Sequence, residues 1–186
     1  LLGICYLIYN GLLQTQNDGT TKIMDFFDEQ RMCHLYEKFL LEYYRKEHPE
    51  LSANASQIAW QLDDSENQLL PKMQTDIMLS QGNNILIIDA KYYSHMTQRQ
   101  YGTNTLHSNN LYQIFTYVKN KEFELRKLEH TVSGMLLYAQ TDENVIPNNT
   151  YQMSGNQISV RALNLNQDFS GIAHTLDDII QNSFNN

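Results

Sequence analysis

Apolar residues recur at helical spacing in three parts of the chain. The first part runs from residue 28 to about 46, and Pro49 follows it, as expected after the end of a helix. A second helix is predicted from Ser108, a suitable N-cap, to about residue 128. A short final helix is predicted from four apolar residues at helical spacing, Ile172, Leu176, Ile179 and Ile180.

Shorter apolar runs bounded by turn residues predict strands between these helices. They cover residues 57–62, 73–79, 84–92 and 131–138, and a hairpin within 151–165 that turns at 154–156. Residues 85–88 are all apolar, which predicts a central strand covered on both faces. The polar segment 93–106 is predicted to be a mobile loop. The order of elements predicts a mixed α/β domain whose sheet is flanked by helices.

The length of 186 residues suits a single domain with a substantial core. We assign residues 28–186 to this domain and residues 1–27 to an N-terminal helical or linker segment. The chain does not start with Met, so we expect a missing upstream domain that this segment would connect. The apolar stretch 1–13 is too short and too mixed to span a bilayer, and two cysteines are too few for a disulfide framework. Both features favour a cytoplasmic protein without membrane contact.

The formal charge of −8 argues against a protein that binds nucleic acid through bulk positive charge. It leaves a local basic groove, or a partner that supplies one, open. The sequence contains no GxxxxGK[ST] motif, which argues against nucleotide triphosphate binding through a P-loop. The six histidines show no metal-type pairing at positions i and i+4, which argues against a zinc hydrolase.

Two acidic residues are predicted to face each other across a hairpin. If Gly82 and Asn83 form the two-residue turn, Asp76 lies directly opposite Asp89, with Cβ atoms about 5 Å apart. Lys91 is two residues further along the second strand and therefore lies on the same face. A shift of one residue in the register would separate these side chains, so the prediction depends on the turn.

Two carboxylates this close repel each other unless a proton or a cation intervenes. Mg²⁺ prefers oxygen ligands, so Asp76, Asp89 and the backbone carbonyl of Ala90 form a suitable set. Lys91 would then orient or help to deprotonate a water molecule. Such a metal also offsets the charge that develops on an attacked phosphate.

Further along the chain, Gln113 and Tyr117 are four residues apart and share one helix face. Glu37 on the first long helix is a further candidate for contact with the metal or its waters.

The order of these residues resembles the PD-(D/E)xK nuclease superfamily. Asp76, followed by Asp89-Ala90-Lys91 after an apolar strand, is similar to the signature motif, and Gln113-Ile-Phe-Thr-Tyr117 resembles the QxxxY element of its RecB-like branch. Glu37 matches the acidic residue on the upstream helix. The chain resembles most closely the McrC family, the nuclease subunits of McrBC restriction systems, over nearly its whole length. One departure is that Thr75, not proline, precedes Asp76.

The resemblance implies a restriction-endonuclease-like fold and a Mg²⁺-dependent DNA endonuclease in which Mn²⁺ can substitute. It implies catalytic roles for Asp76, Asp89, Lys91, Glu37 and Gln113. McrC-type subunits cut DNA that contains modified cytosine and work with McrB, a AAA+ GTPase that recognises the modified base. We expect that partner to dock on an N-terminal region outside this chain. Cutting both strands needs two sites, so we also expect a transient homodimer.

Several alternatives stay open on the sequence alone. Tyr117, Tyr93 and Lys72 are candidates for DNA contacts. For Tyr117 packing on the sheet explains the residue nearly as well, whereas packing is the default interpretation of Tyr93 and solvation that of Lys72. The function could also be that of a repair or recombination nuclease, or of a non-catalytic module that only docks a GTPase.

Overall fold

A computed structural model describes residues 21–64, 66–93, 96–100, 103–141 and 146–184. The chain divides into two units, Leu1–Arg31 and Met32–Asn186. In the first unit the described residues, 21–31, are helical. The predicted division at residue 27 remains a prediction, because residues 1–20 lie outside the described part.

The first helix, α1, spans Thr21–Glu47 and so begins seven residues before the predicted start at Asp28. The second helix, α2, spans Ser108–Leu125, and the third, α3, spans Phe169–Phe184. The N-cap of α2 is His107, not the predicted Ser108, and no side-chain hydrogen bond caps it. Among the described residues, no helix is long and apolar enough to cross a membrane.

Six strands form the main sheet, in the spatial order β1-β4-β5-β8-β10-β9. In that order, the strands are β1 (Ser52–Asn54), β4 (Ile77–Gln81), β5 (Asn84–Lys91), β8 (Thr131–Ala139), β10 (Asn156–Leu163) and β9 (Asn149–Met153). β5, β8 and β10 run parallel, and the remaining pairs are antiparallel. Helices flank the sheet, so the predicted mixed α/β class is confirmed.

The predicted hairpin between β4 and β5 is confirmed in its register. Gln81 pairs with Asn84 and Ile77 with Ile88, which leaves Gly82 and Asn83 as the turn. Gly82 has φ +61°, a left-handed conformation that suits glycine. β5 is bonded on both sides, to β4 and β8, and residues 85–90 are buried, as the apolar run predicts.

The strands around this hairpin differ from the prediction. The predicted strand 73–79 is two strands, β3 (Met73–Gln74) and β4, interrupted at Thr75 and Asp76. β3 pairs with β2 (Gln57–Ile58), which is shorter than the predicted strand 57–62, in a separate two-stranded sheet. β1 was not predicted, since three residues carry too little pattern to identify a strand.

The segment 93–106, predicted to be a mobile loop, contains a second small hairpin. β6 (Thr97–Gln100) pairs with β7 (Thr103–Leu106) in antiparallel orientation. All its strand residues except Leu106 are polar, and a polar strand shows none of the apolar alternation used to predict strands.

The two faces of the main sheet carry separate hydrophobic cores. One core packs α1 and α3 against even-numbered residues of β5, such as Leu86 and Ile88. The other core packs α2 against odd-numbered residues, such as Ile85 and Ile87. Asp89 and Lys91 are odd-numbered, so their side chains lie on the face covered by α2.

Candidate active site

The site lies at the carboxyl end of β5, where the ladder to β4 stops. The last β4–β5 pair is Ile77 with Ile88, and beyond it Asp76 Oδ2 accepts a hydrogen bond from the Ala90 N–H at 2.8 Å. The N–H and C=O of one strand residue point to the same side of the strand. The Ala90 carbonyl therefore lies on the β4 edge of β5, the edge from which Asp76 approaches.

Thr75 fixes the break in the strand just before Asp76. Its side chain is 1% exposed. Its hydroxyl donates to the Ser56 carbonyl and accepts from the Ser56 N–H, both at 3.0 Å, and its own N–H donates to the same carbonyl at 3.0 Å. These three bonds hold the backbone beside Asp76 in place. They give a physical reason for threonine at the position where the superfamily motif has proline.

The predicted pair of carboxylates is present and buried. Asp89 is 1% exposed, and neither of its oxygens receives a well-directed hydrogen bond from the described residues. Burial raises the pKa of Asp89, although the adjacent Lys91 charge opposes the shift. Burial and the charge of Asp89 raise the pKa of Asp76 to about 7, against the opposing hydrogen bond from Ala90. Two carboxyl groups in this state are prepared to exchange a proton for a cation.

Lys91 lies between the carboxylates and helix α2. Its Nζ is 2.7 Å from Asp89 Oδ2 and donates to Gln113 Oε1 at 3.2 Å. Burial alone would lower the pKa of Lys91, but the Asp89 carboxylate raises it, so the side chain is an ammonium ion. Its side chain is 12% exposed, which leaves little room for movement.

Gln113 and Tyr117 connect Lys91 to the strand that carries Asp76. Gln113 Nε2 donates to the Tyr117 hydroxyl at 3.1 Å, and that hydroxyl donates to the Gln74 carbonyl at 3.1 Å. Gln74 is two residues before Asp76. The structure thus brings together Asp76, Asp89, Lys91, Gln113 and Tyr117, which are spread over 42 positions of the sequence.

Glu37 lies near this group but does not join it as a third close carboxylate. Its negative charge raises the pKa values of both Asp76 and Asp89. Its Oε2 lies 3.2 Å from Nδ1 of His34 on the same helix. In the described residues no three His, Cys, Asp or Glu side chains are arranged to hold one metal ion. The predicted contact of Glu37 with the metal therefore fits a water-mediated role better than direct coordination.

The three predicted DNA contacts have different surroundings, and their role stays a prediction. Tyr117 is 8% exposed and uses its hydroxyl inside the protein. Tyr93 is partly buried and packs edge-on against His107, with ring centroids 5.7 Å apart. Lys72 is exposed, two residues before Gln74.

Sequence reasoning missed two polar residues beside the predicted set. Asn110 is 5% exposed on the same side of α2 as Gln113, and Tyr138 is fully buried in β8 next to Lys91. The spacing of Asn110, Gln113 and Tyr117 along one helix face was a usable signal for the first. Nothing in the strand pattern around Tyr138 separates it from an ordinary core aromatic.

The residues fit a divalent cation. Asp89 Oδ1 is buried and receives no hydrogen bond from the described residues. The charge of Asp89 raises the pKa of the neighbouring Asp76, after burial, and the Ala90 carbonyl lies on the same strand edge as the Ala90 N–H from which Asp76 accepts a hydrogen bond. Oxygen donors of this kind suit Mg²⁺ or Mn²⁺.

A family model described as "McrBC 5-methylcytosine restriction system component" matches residues 1–139. The chain belongs to this family. The match covers three quarters of the chain and includes every residue of the site, from Glu37 to Tyr138. The predicted resemblance to the McrC family is therefore confirmed.

The chain is also similar to the type IV methyl-directed restriction enzyme EcoKMcrBC of Escherichia coli (strain K12). The two are 34% identical over 183 residues, which is 96% of this chain and 51% of the relative. The chain thus spans about half the length of the curated relative that it matches.

Proposed function

We propose that this chain is the Mg²⁺-dependent DNA endonuclease domain of a GTP-dependent restriction system that cuts DNA with modified cytosine. The observation that carries the proposal is the close placement of Asp76, Asp89 and Lys91 at the end of β5. Family membership supports the restriction role. The same proposal includes a restriction-endonuclease-like fold and a cytoplasmic location.

The chemistry is hydrolysis of a phosphodiester. A water molecule loses a proton to solvent and its oxygen forms a bond to phosphorus. The bond from phosphorus to one ester oxygen breaks, and its electron pair leaves on that oxygen, which takes up a proton from solvent. Asp76, Asp89 and the Ala90 carbonyl would hold Mg²⁺, which when bound supplies positive charge at the phosphate and makes water more acidic. The Lys91 ammonium donates to the attacking water or to a phosphate oxygen and stabilises the developing negative charge. Gln113 keeps Lys91 at the required position.

The partners follow from the same proposal. We infer that a AAA+ GTPase of the McrB type recognises the modified base and docks on a region N-terminal to this domain. The chain itself has no P-loop, which fits a system in which the partner hydrolyses GTP. DNA reaches the site when the partner delivers it, since a net charge of −8 gives the domain little attraction of its own for phosphates.

The test combines metal binding with cleavage. Calorimetry with Mn²⁺ should show binding to the wild-type chain and loss of binding in Asp89→Ala and in Asp76→Ala. Asp178→Ala, which removes a carboxylate on α3 away from the site, is the matched control and should bind like wild type. With the partner subunit and methylated DNA present, Asp89→Ala should lower cleavage by about 100-fold or more. Cleavage by Asp89→Ala at the wild-type rate would overturn the assignment.

A further inference from the structure

Helix α2 presents a buried polar residue, Asn110, that has no part in the mechanism above. Its Nδ2 donates to the Tyr138 hydroxyl at 2.9 Å, and its Oδ1 accepts from the Tyr93 hydroxyl at 3.5 Å. Asn110 is 5% exposed and Tyr138 is fully buried. A buried amide is costly unless it is hydrogen-bonded, so apolar residues would serve simple packing better here.

Tyr138 is a direct neighbour of Lys91. The two residues are paired in the parallel ladder between β5 and β8, and both side chains lie on the face covered by α2. Burial raises the pKa of the Tyr138 hydroxyl, while the Lys91 charge opposes this shift and the Asp89 charge adds to it. The ring of Tyr93, two residues after Lys91, packs on Tyr138 with centroids 6.4 Å apart.

Lys91 is therefore bordered on two sides by residues tied to α2. Gln113 Oε1 accepts from its ammonium directly, at 3.2 Å. On the β8 side, Tyr138 is the ladder partner of Lys91, Tyr93 packs on Tyr138, and Asn110 hydrogen-bonds to both hydroxyls. Asn110 and Gln113 are three residues apart, so the same face of α2 supplies the residues on both sides of Lys91.

We propose that Asn110, Tyr138 and Tyr93 form a buried hydrogen-bonded brace that fixes the Lys91 ammonium between Asp89 and Gln113. All three are positioning residues, because they act through Lys91 and not on the phosphate. Their effect on cleavage rests on the proposed function, whereas their effect on Lys91 itself does not.

The first experiment measures the accessibility of Lys91 without any cleavage. The full chain is treated with sulfo-NHS-acetate, and acylation of each lysine is followed over time by peptide mass spectrometry. Asn110→Leu and Tyr138→Phe should each speed acylation of Lys91 about fivefold, the factor expected from one lost hydrogen bond. The exposed Lys72 is the internal standard and should not change.

Tyr44→Phe is the matched control. It also removes a fully buried tyrosine hydroxyl, but that hydroxyl lies in the core on the opposite face and has no hydrogen-bond partner in the described structure. It should leave Lys91 protected. Unchanged protection of Lys91 in Tyr138→Phe would overturn the brace. This variant keeps the ring and decides the question even if Asn110→Leu fails to fold.

The second experiment uses single-turnover cleavage with the partner subunit present. Tyr138→Phe should slow cleavage about fivefold while the Kd for DNA stays the same. Asn110→Leu combined with Tyr138→Phe should be no slower than the worse single variant, because the residues act as one unit. Absence of cleavage by wild type would count against the proposed nuclease, and the acylation result would still decide the brace. If Tyr138→Phe lost cleavage rate and DNA affinity equally, the brace would be overturned.

Discussion

At the residue scale, the most informative feature is a pair of buried carboxyl groups whose surroundings disfavour the ionised form of each. Asp89 is 1% exposed, and Asp76 sits beside it with its pKa raised to about 7 by burial and by the charge of Asp89. Structural carboxylates are normally buried only with full compensation. Here the Lys91 ammonium lies against Asp89 and can balance only one of the two carboxylates once both are ionised. That imbalance favours a bound cation.

The raised pKa of Asp76 predicts how the free energy of unfolding depends on pH. Because the pKa of Asp76 is higher in the folded than in the unfolded chain, its contribution to stability is fully present below pH 4. That contribution is lost as pH rises through about 7. Asp76→Asn removes the ionisation, so in EDTA it should be more stable than wild type at pH 8, by on the order of 1–3 kcal/mol. Near pH 4 that advantage should vanish.

Urea unfolding at both pH values measures the difference. Addition of Mg²⁺ at pH 8 should stabilise wild type by mass action and leave Asp76→Asn unchanged. An equal difference between the two proteins at pH 4 and pH 8 would show that Asp76 ionises freely in the folded chain.

At the scale of elements, the local sequence pattern was sufficient to predict the β4–β5 hairpin but not the break before β4 or the β6–β7 pair. Gly82-Asn83 sets the β4–β5 register, and that register alone brings Asp76 towards Asp89 and places Lys91 on the same face. The interruption at Thr75 depends on Ser56, nineteen residues away, and no local pattern reveals it. The β6–β7 pair was missed because polar strands lack the apolar alternation used to predict them.

The packing of α2 on the sheet depends on Gly134 of β8. A Cβ atom built there would lie 2.8 Å from side-chain atoms of Ile114 and Val118, and 2.9 Å from Ile158. Gly134→Ala should therefore destabilise the fold by about 1–3 kcal/mol and move α2 away from the sheet. Since α2 carries Gln113, cleavage should fall as well, measured beside the Tm. Gly171→Ala on α3 is the control, because the atoms nearest to the new Cβ there are the ends of the flexible side chains of Gln167 and Asp168. A Gly134→Ala chain with wild-type Tm and cleavage would show that α2 adjusts freely.

At the scale of the whole molecule, the proposed nuclease faces a substrate with two strands. In the described part of the chain, Asp76, Asp89 and Lys91 form one candidate catalytic group. Hydrolysis of one phosphodiester produces a nick. A double-strand cut therefore requires a second event, either by the same chain after rebinding or by a second copy.

The expected transient homodimer predicts how plasmid cleavage depends on protein concentration. With the partner subunit in excess, nicked circles should appear in proportion to the concentration of this chain. Linear DNA should instead appear about fourfold faster for each doubling, because two copies must meet.

Mixing in an equal amount of Asp89→Ala chains makes the test stricter. A mixed pair still nicks one strand but cannot cut both, so the mutant should depress linear product and largely spare nicking. Linear DNA that rises in simple proportion to the wild-type chain, and that is unaffected by the mutant, would mean that one chain cuts both strands in turn. The homodimer would then have no part in cleavage, and the second strand would be reached by movement of the DNA relative to a single site.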